Sequence, residues 1–303
     1  MIVVTGGEGF IGKNLVQRLR LDPDISVVSL DTRNTSIDYI YNWITTNAKL
    51  IDGIYHIGAI SDTTEQDERL FEIYNINMSI FIWNVCSSNQ IPLVYASSAA
   101  TYGDGSLGFD DELDIDAYQP LNQYGWSKQL VDERVTILAN KDNYSPPFWA
   151  GLKFFNVYGS DESHKKRMAS MVYHTFNQVM SSGKVKLFKS HRKDYAHGEQ
   201  LRDFIFIDDI IDVCTYMMKE KPTSGIYNVG TGKARSFNDL AKAVFKSMNK
   251  RERIKYINTP KDLREQYQYY TQATTKKLRA VGYTKPFTEL EDGVDKYVKD
   301  LLH

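Results

Sequence analysis

Two cysteines in 303 residues, Cys86 and Cys214, leave little for a disulfide framework. They stand far apart in apolar surroundings, the pattern of buried free thiols in a reducing compartment. The net charge is only −1, so no global field favours nucleic acid or an anionic membrane. No apolar run approaches the roughly 20 residues of a membrane span. The chain opens on a strand leading into a glycine turn, without the basic and apolar regions of a secretory signal. Six histidines and two cysteines show no metal-ligand spacing. Internal repeats and low-complexity stretches are also missing. These absences together predict a soluble cytoplasmic protein with no metal, no nucleic-acid partner and no membrane partner.

What is present is a hydrophobic fraction of 42%, enough for a sizeable core in one large or two small domains. Short β-branched or apolar runs recur at Ile2-Val3-Val4, Val27-Val28-Ser29-Leu30, Ile54-Tyr55-His56-Ile57, Leu93-Val94-Tyr95-Ala96 and Leu152 to Val157. Helical spacing separates them, from Phe10 to about Arg20, near Tyr39 to Ala48, from Phe81 to Ser88 and from Tyr124 to about Ala139. Strand–helix alternation of this kind predicts an α/β fold, a Rossmann-type doubly wound parallel sheet. Only the 24 residues 32–55 lie between Asp31 and His56, room for one helix, so the sheet is expected to lack one strand. Further on, Met168 to Met180 reads as helix and His191 to Gln200 as a polar loop. Phe204 to Ile207 reads as strand, with Asp208 or Asp209 placed to cap the next helix, and Ile226 to Val229 as another strand. Ser236 is placed to cap a helix to about Met248, and the segment from Thr288 is helical. The expected division is a dinucleotide-binding domain of 1–158 plus 203–231 and a smaller mixed α/β substrate domain of 159–202 plus 232–303.

Gly6-x-x-Gly9-x-x-Gly12 sits between the first strand and the first helix, with an acid, Asp31, 19 residues past Gly12. Absent side chains let backbone approach a pyrophosphate, and the helix start aims free N–H groups at that anion. The bland alternative is an ordinary tight turn. Asp31 would accept hydrogen bonds from the adenosine ribose, favouring NAD. Arg33 could pair with a 2′-phosphate, favouring NADP. Both readings stay open on the residues alone.

The spacing Tyr124-x-x-x-Lys128 occurs once, although the chain holds 20 tyrosines, and it follows the strand ending in Ser97-Ser98. Residues four apart share a helix face, so Lys128 can hold positive charge near Tyr124 and reach a ribose. The ammonium and an oxidised nicotinamide would both lower the phenol's ordinary value near ~10. A phenolate could then take a hydroxyl proton while Ser98 positions the reacting oxygen. The alternative is a tyrosine that merely packs a helix on a sheet. Basic clusters at His164-Lys165-Lys166-Arg167 and His191-Arg192-Lys193 read either as solvated loops or as a pocket for a phosphorylated ligand. Lys165 follows a strand end and reads equally as a surface lysine. His56 reads as a structural histidine.

Four stretches carry a family likeness: Tyr95 to Gly103, Phe154 to Gly159, His164-Lys165 with Met168-Ala169-Ser170, and Tyr267-Gln268 with Thr271-Gln272. On these the chain resembles the extended short-chain dehydrogenases/reductases and, among them, the ADP-L-glycero-D-manno-heptose 6-epimerase family. The resemblance spans nearly the whole chain. It implies epimerisation at C6 of an ADP-heptose, with oxidation to a C6 aldehyde, rotation about C5–C6 and re-reduction on the other face. Catalytic roles are implied for Tyr124, Lys128, Ser98 and Lys165, with Tyr124 and Lys165 as the two proton-handling groups. The dinucleotide, NADP with NAD as an alternative, is expected against Gly6, Gly9, Phe10, Ile11, Gly12, Asp31, Thr32, Arg33, Ile57, Gly58, Ala59, Ser61, Asn75, Tyr124, Lys128 and Val157. The nucleotide-diphosphate sugar is expected against Ser98, Asn156, Arg167, His174, Phe188, Arg202 and Tyr267. The family forms homo-oligomers and serves lipopolysaccharide biosynthesis. The chain departs from it at Arg167, where the family has a small residue, at Thr32, where it has asparagine, in a longer charged loop from Lys189 to Leu201, and in the short stretch after Asp31. Other readings are a UDP-sugar 4-epimerase or reductase of the same class, and a non-catalytic dinucleotide sensor. A dehydratase is disfavoured because Ala99-Ala100-Thr101 stands where an Asp-Glu pair would be wanted.

Overall fold

Glycine at the first turn and apolar strands behind it set the architecture. A computed structural model describes residues 1–140, 144–260, 264 and 268–303. The first half alternates strand and helix: β1 (Ile2–Thr5), α1 (Phe10–Leu19), β2 (Val27–Leu30), α2 (Ile37–Asn47), β3 (Gly53–His56), then α3 (Glu68–Phe71). A π-helical turn, Glu72–Asn77, joins α3 to α4 (Met78–Asn89). Next come β4 (Leu93–Ser98), α5 (Gln123–Asn140) and β5 (Trp149–Phe154). The second half holds β6 (Asn156–Tyr158), α6 (Met171–Ser182), β7 (Val185–Phe188), β8 (Leu201–Phe206), α7 (Ile207–Glu220) and β9 (Gly225–Val229). It ends with β10 (Ala234–Ser236), α8 (Phe237–Ser247), β11 (Ile254–Ile257), α9 (Lys276–Ala280) and α10 (Leu290–Leu302).

Six strands form one parallel sheet in the order β2-β1-β3-β4-β5-β9. Its middle strands are buried along their whole length, which is why they read as unbroken apolar runs. Helices α1 and α7 cover one face through Leu15, Val16, Leu19, Val213 and Met217. Helices α2, α4 and α5 cover the other through Ile40, Ile44, Ile82, Trp83, Val131 and Val135. Only α2 and one turn of 3₁₀ helix stand between β2 and β3, so β2 is the sheet edge, as the short 32–55 stretch predicts. The chain leaves β1 toward β2 on one side and returns as β3 on the other. That switch point, at the carboxyl ends of β1 and β3, is where open α/β sheets bind ligands. Beside the main sheet lie a three-stranded sheet, β10-β8-β6, and a two-stranded one, β11-β7.

Three expectations need correction. The strand predicted from Leu152 to Val157 is two strands: β5 ends at Phe154, the Phe155 amide still bonds Val229 at 3.1 Å, and Asn156 onward pairs with β8 instead. The helix predicted from Met168 begins at Met171, where Ser170 caps it, because Ser163–Met168 forms a 3₁₀ segment. Neither Asp208 nor Asp209 caps α7, whose N-cap is Phe206; the Asp209 carboxylate instead accepts from the Thr288 amide and hydroxyl.

Helix α5 is fastened to the sheet by a buried ion pair. Asp132 accepts from Tyr95 Oη at 2.9 Å, Ser97 Oγ at 2.7 Å and Lys153 Nζ at 2.8 Å. Lys153 also donates to Thr101 Oγ1 at 2.6 Å. Both partners are almost wholly enclosed, at 0% and 2% exposure, so neither charge can fall back on water. Asp132→Ala should therefore lower unfolding stability by about 3–5 kcal/mol, the cost of stranding the other charge. Urea denaturation followed by circular dichroism measures this, and a loss under 1 kcal/mol contradicts it.

Candidate active site

A cavity of about 820 Å³ opens at the switch point and runs from the glycine turn to α6 and α8. Its floor is the turn itself. Gly6 has φ +72°, and a Cβ there would stand 2.3 Å from the Gly58 Cα, so the β1 and β3 ends approach as only glycine permits. A Cβ on Gly12 would fall 2.0 Å from the Gly6 carbonyl oxygen. Gly9 is the N-cap of α1 and offers no side-chain cap, which leaves the amides of the first turn for a ligand. Phe10, Ile11 and Gly12 of that turn line the cavity. A bare helix start, a turn without side chains and a roomy cavity are what a dinucleotide pyrophosphate requires, so the residues present fit such a cofactor.

At the adenosine end, Asp31, Thr32 and Arg33 all line the cavity. The Asp31 carboxylate already accepts two backbone amides, from Glu8 at 3.0 Å and Arg33 at 2.8 Å. The Arg33 guanidinium is exposed and donates to the Glu8 carbonyl at 2.6 Å. Ile57, Gly58, Ala59 and Ser61, which follow β3, line the same space, as does Val157. Asn75 does not. It is fully buried in the π-helical turn, where its amide bonds the Ile60 amide at 2.8 Å, the Ile60 carbonyl at 3.0 Å and Ser127 Oγ at 2.8 Å. Its part in the structure is to hold the loop after β3.

Ser98, Tyr124 and Lys128 meet on the cavity wall. Ser98 ends β4, and its hydroxyl accepts the Ala100 amide at 3.1 Å and hydrogen-bonds Tyr124. Lys128 is buried and donates to the Ala96 carbonyl at 2.8 Å. The expected lowering of the Tyr124 phenol is not what the protein alone produces. Burial raises it above its ordinary value, the Ser98 hydrogen bond pulls it down, and Asp132 pushes it up. Burial likewise pulls Lys128 from 10.5 to about 8, with Asp132 acting in the opposite sense. Ser98, rather than Lys128, is the group that favours the phenolate. His56 is the structural histidine expected: its ring nitrogens meet Thr5 Oγ1 at 2.7 Å and Ser79 Oγ at 2.8 Å, and burial first, then Lys128, lower it to about 3.

Lys165 reaches the same cavity from the 3₁₀ segment after β6. Its ammonium lies 5.3 Å from the centroid of the Phe10 ring, and burial holds it below the ordinary lysine value. His164 also lines the cavity, so the first half of the 164–167 basic cluster faces the ligand space, while Lys166 and Arg167 are exposed outside it. The other cluster, at 191–193, is exposed, with Arg192 paired to Asp194.

The expected substrate residues divide. Asn156 lines the cavity and its Oδ1 accepts from Thr271 Oγ1 at 3.2 Å. Arg167, His174, Phe188 and Arg202 lie outside the lining. Arg167 is exposed, and its carbonyl meets His174 Nε2 at 3.1 Å. Phe188 ends β7, and its carbonyl accepts from Gln200. The Arg202 guanidinium sits 5.7 Å from the ring of Phe237, a cavity residue, and donates to the Leu201 and Gln268 carbonyls. Tyr267 lies outside the described residues. Sequence reasoning missed Tyr74, Met171, Phe237 and Leu240, which line the cavity from three separate places in the chain. Nothing local marks them, since each reads as an ordinary apolar helix position. Among the described residues no cluster of His, Cys, Asp or Glu is placed to hold a metal, and no helix is long and apolar enough to cross a membrane.

Comparison with known proteins agrees with this geometry. Residues 2–230 match the NAD dependent epimerase/dehydratase family. An ADP-L-glycero-D-manno-heptose-6-epimerase of Fusobacterium nucleatum is 42% identical, the alignment covering 100% of this chain and 98% of the relative. One from Nitratidesulfovibrio vulgaris is 40% identical, again over 100% and 98%. Among solved structures, the ADP-L-glycero-D-manno-heptose-6-epimerase of Helicobacter pylori superposes with a TM-score of 0.81 at 28% identity, covering 99% of this chain and 96% of that one. A UDP-glucose 4-epimerase of Thermotoga maritima reaches the same TM-score at 18% identity, a likeness of fold alone.

The value of about 8 for Lys128 has a stability consequence. A folded value below the unfolded one makes the protonated lysine unfavourable in the native state, by about 3 kcal/mol at neutral pH. The penalty is full below pH 8 and is relieved as the pH rises toward 10.5. Lys128→Met should therefore raise the urea midpoint at pH 7 in the absence of cofactor, and its advantage should shrink above pH 8. Denaturation series at pH 7 and pH 9.5 test this; an equal or lower midpoint at pH 7 counts against it.

Proposed function

The chain belongs to the NAD dependent epimerase/dehydratase family, and from that membership we propose that it inverts C6 of an ADP-heptose by transient oxidation and re-reduction. One observation carries this reading: Lys165 lines the same cavity as the Ser98–Tyr124–Lys128 group. A one-way reductase needs a single proton-handling residue. C6 of a heptose carries C7 as well as C5, so its oxidation gives a ketone rather than the expected aldehyde, and re-reduction on the opposite face of that rotated ketone is served by two. Relatives at 42% and 40% identity that are ADP-heptose 6-epimerases support the same substrate.

When bound, a nicotinamide dinucleotide supplies the hydride acceptor and donor. Tyr124 takes the proton of the C6 hydroxyl on one face, and Ser98 holds the reacting oxygen. Lys165 gives or takes the proton on the other face. Burial moves it below the ordinary lysine value, the direction that eases release of its proton. Residues 1–158 with 203–231 bind the dinucleotide, and 159–202 with 232–303 form the sugar-nucleotide part. We favour NADP over NAD, because the Asp31 carboxylate is occupied by two amides while the exposed Arg33 guanidinium at the cavity edge, with one bond to the Glu8 carbonyl, keeps further N–H donors for a 2′-phosphate. The working form is a homo-oligomer of the cytoplasm. Trp126, Leu130 and Ile137, each about two-fifths exposed, share one face of α5 and offer an apolar contact for a second copy.

Two measurements test these assignments. Tyr124→Phe and Lys165→Met should each cut C6 inversion of an ADP-heptose, followed by NMR, by on the order of 10²-fold or more while the dinucleotide still binds. A UDP-sugar 4-epimerase would tolerate loss of Lys165 and invert C4 instead. Arg33→Ala should weaken NADP binding by on the order of tenfold and leave NAD binding within about twofold, read by fluorescence titration. Equal losses for the two dinucleotides refute the NADP preference.

A further inference from the structure

Glu162 lies three residues before Lys165 and is fully buried. Its carboxylate is used up within the segment that carries that lysine. One oxygen accepts from the Gly159 amide at 3.4 Å and the Ser170 hydroxyl at 2.6 Å; the other accepts from the Ser170 amide at 2.5 Å. Gly159 and Ser170 are the two ends of the segment, so a single carboxylate closes it at its neck. Tyr297, buried in α10, hydrogen-bonds the same carboxylate. The Glu162 carbonyl accepts the Lys165 amide at 3.0 Å.

The rest of the segment is fastened from outside. Lys13 of α1 pairs with Asp161, and Asn14 donates to the Ser160 carbonyl at 3.0 Å. The Ser160 hydroxyl donates to Asp300 of α10 at 2.7 Å. Within these ties, Asp161 at φ +72° and Lys166 at φ +50° both occupy the left-handed region. Non-glycine residues stay there only where the surroundings over-determine them, and such strain gathers at functional sites. A solvent-facing connection has no need of a buried charge, which is costly unless something depends on its geometry. Lys165, with His164 and Met168, is among the side chains that this geometry delivers to the cavity.

We propose that Glu162 is a positioning residue for Lys165: by clamping Gly159, Ser170 and Tyr297 it fixes the lysine beside Phe10, and it makes the C-terminal helix a working part of the site. Helix α1, whose first turn forms the dinucleotide cradle, holds the same segment through Lys13 and Asn14, so cofactor site and lysine share one rigid support. The kinetic consequence rests on the role of Lys165 given under Proposed function; the geometric one does not. The negative charge of Glu162 also favours the Lys165 ammonium against burial.

The test uses the full-length protein with Glu162→Gln, which keeps shape and removes charge, and Tyr297→Phe, which keeps the carboxylate and removes one of its donors. Competitive acetylation of lysines, mapped by peptide mass spectrometry, reads Lys165 against buried Lys153 and exposed Lys219 in the cofactor-free protein. Glu162→Gln should raise labelling of Lys165 roughly tenfold relative to Lys219, as the amine loses a neighbouring charge and its fixed place, with Lys153 unchanged. The kcat should fall on the order of 10²-fold, as for a misplaced catalytic group, with KM changed far less. In a Lys165→Met background the same substitution should cost nothing further. Tyr297→Phe should move labelling and kcat the same way by less, and it decides the matter if Glu162→Gln fails to fold. Unchanged Lys165 labelling, or a parallel rise at Lys153, overturns the proposal. If labelling rises while neither Glu162→Gln nor Lys165→Met affects turnover, the clamp stands and the catalytic reading of Lys165 is the part that fails.

Discussion

The ion pair of Asp132 and Lys153 is the constraint on which the site depends. Asp132 stands one turn beyond Lys128 on α5, and through it that helix grips β4 at Tyr95 and Ser97 and β5 at Lys153. Lys153 passes the grip on to Thr101, just after Ser98. The residues on either side of Ser98 are thus tied to the element that carries Tyr124 and Lys128. Apolar packing of Val131 and Val135 would leave α5 free to slide by fractions of an ångström along the sheet. Directed bonds to three partners do not. Burying a charge pair adds little net stability, but it specifies one placement sharply, and proton transfer depends on placement.

The same device recurs wherever segments distant in sequence must meet. Asp203, fully buried on β8, accepts the Thr231 amide and hydroxyl and the Gly232 and Ala273 amides, so it gathers the turn after β9 and the approach to α9 around one carboxylate. Asp209 does so for Thr288, ahead of α10. Backbone amides in loops need acceptors once water is excluded, and a carboxylate offers more lone pairs than any other side chain. Burial raises Asp203 and Asp209 above the usual carboxylate range, while the hydrogen bonds each receives pull in the opposite sense.

These acids also mark where the sequence ceased to be legible. The strands of the main sheet, the glycine turn and the Tyr124–Lys128 spacing are local patterns, and each was readable with boundaries shifted by a few residues. The edge position of β2 followed from the length of 32–55 alone. In contrast, β7 and β11 pair across about seventy residues, and nothing in Val185–Phe188 announces Ile254–Ile257 as its partner. Asp132, Lys153, Glu162 and Asp203 look like ordinary surface charges until the fold supplies their partners. Arg202 was picked out as a substrate group, yet it is not among the residues on the cavity wall and lies against the ring of Phe237, which is. Asn75 was expected at the cofactor and instead braces the loop that lines its cavity. In both, the residue type was informative about proximity and silent about orientation, because rotamer and packing decide which way a polar end faces.

The ionisation of the site follows from the same enclosure. Burial raises the Tyr124 phenol, lowers Lys128 to about 8 and lowers Lys165. Every shift runs toward the neutral form, as a low-dielectric environment dictates. The sequence argument counted on a fixed ammonium to make the phenolate, but in a buried site the ammonium is itself weakened. Positive charge brought beside the ring by an oxidised nicotinamide would favour the phenolate, and a phenolate would favour that charge in return, the two being linked reciprocally. A site built this way holds its base unionised until the group that needs it arrives. The Ser98 hydrogen bond already favours the phenolate and so narrows the gap left for that charge to close.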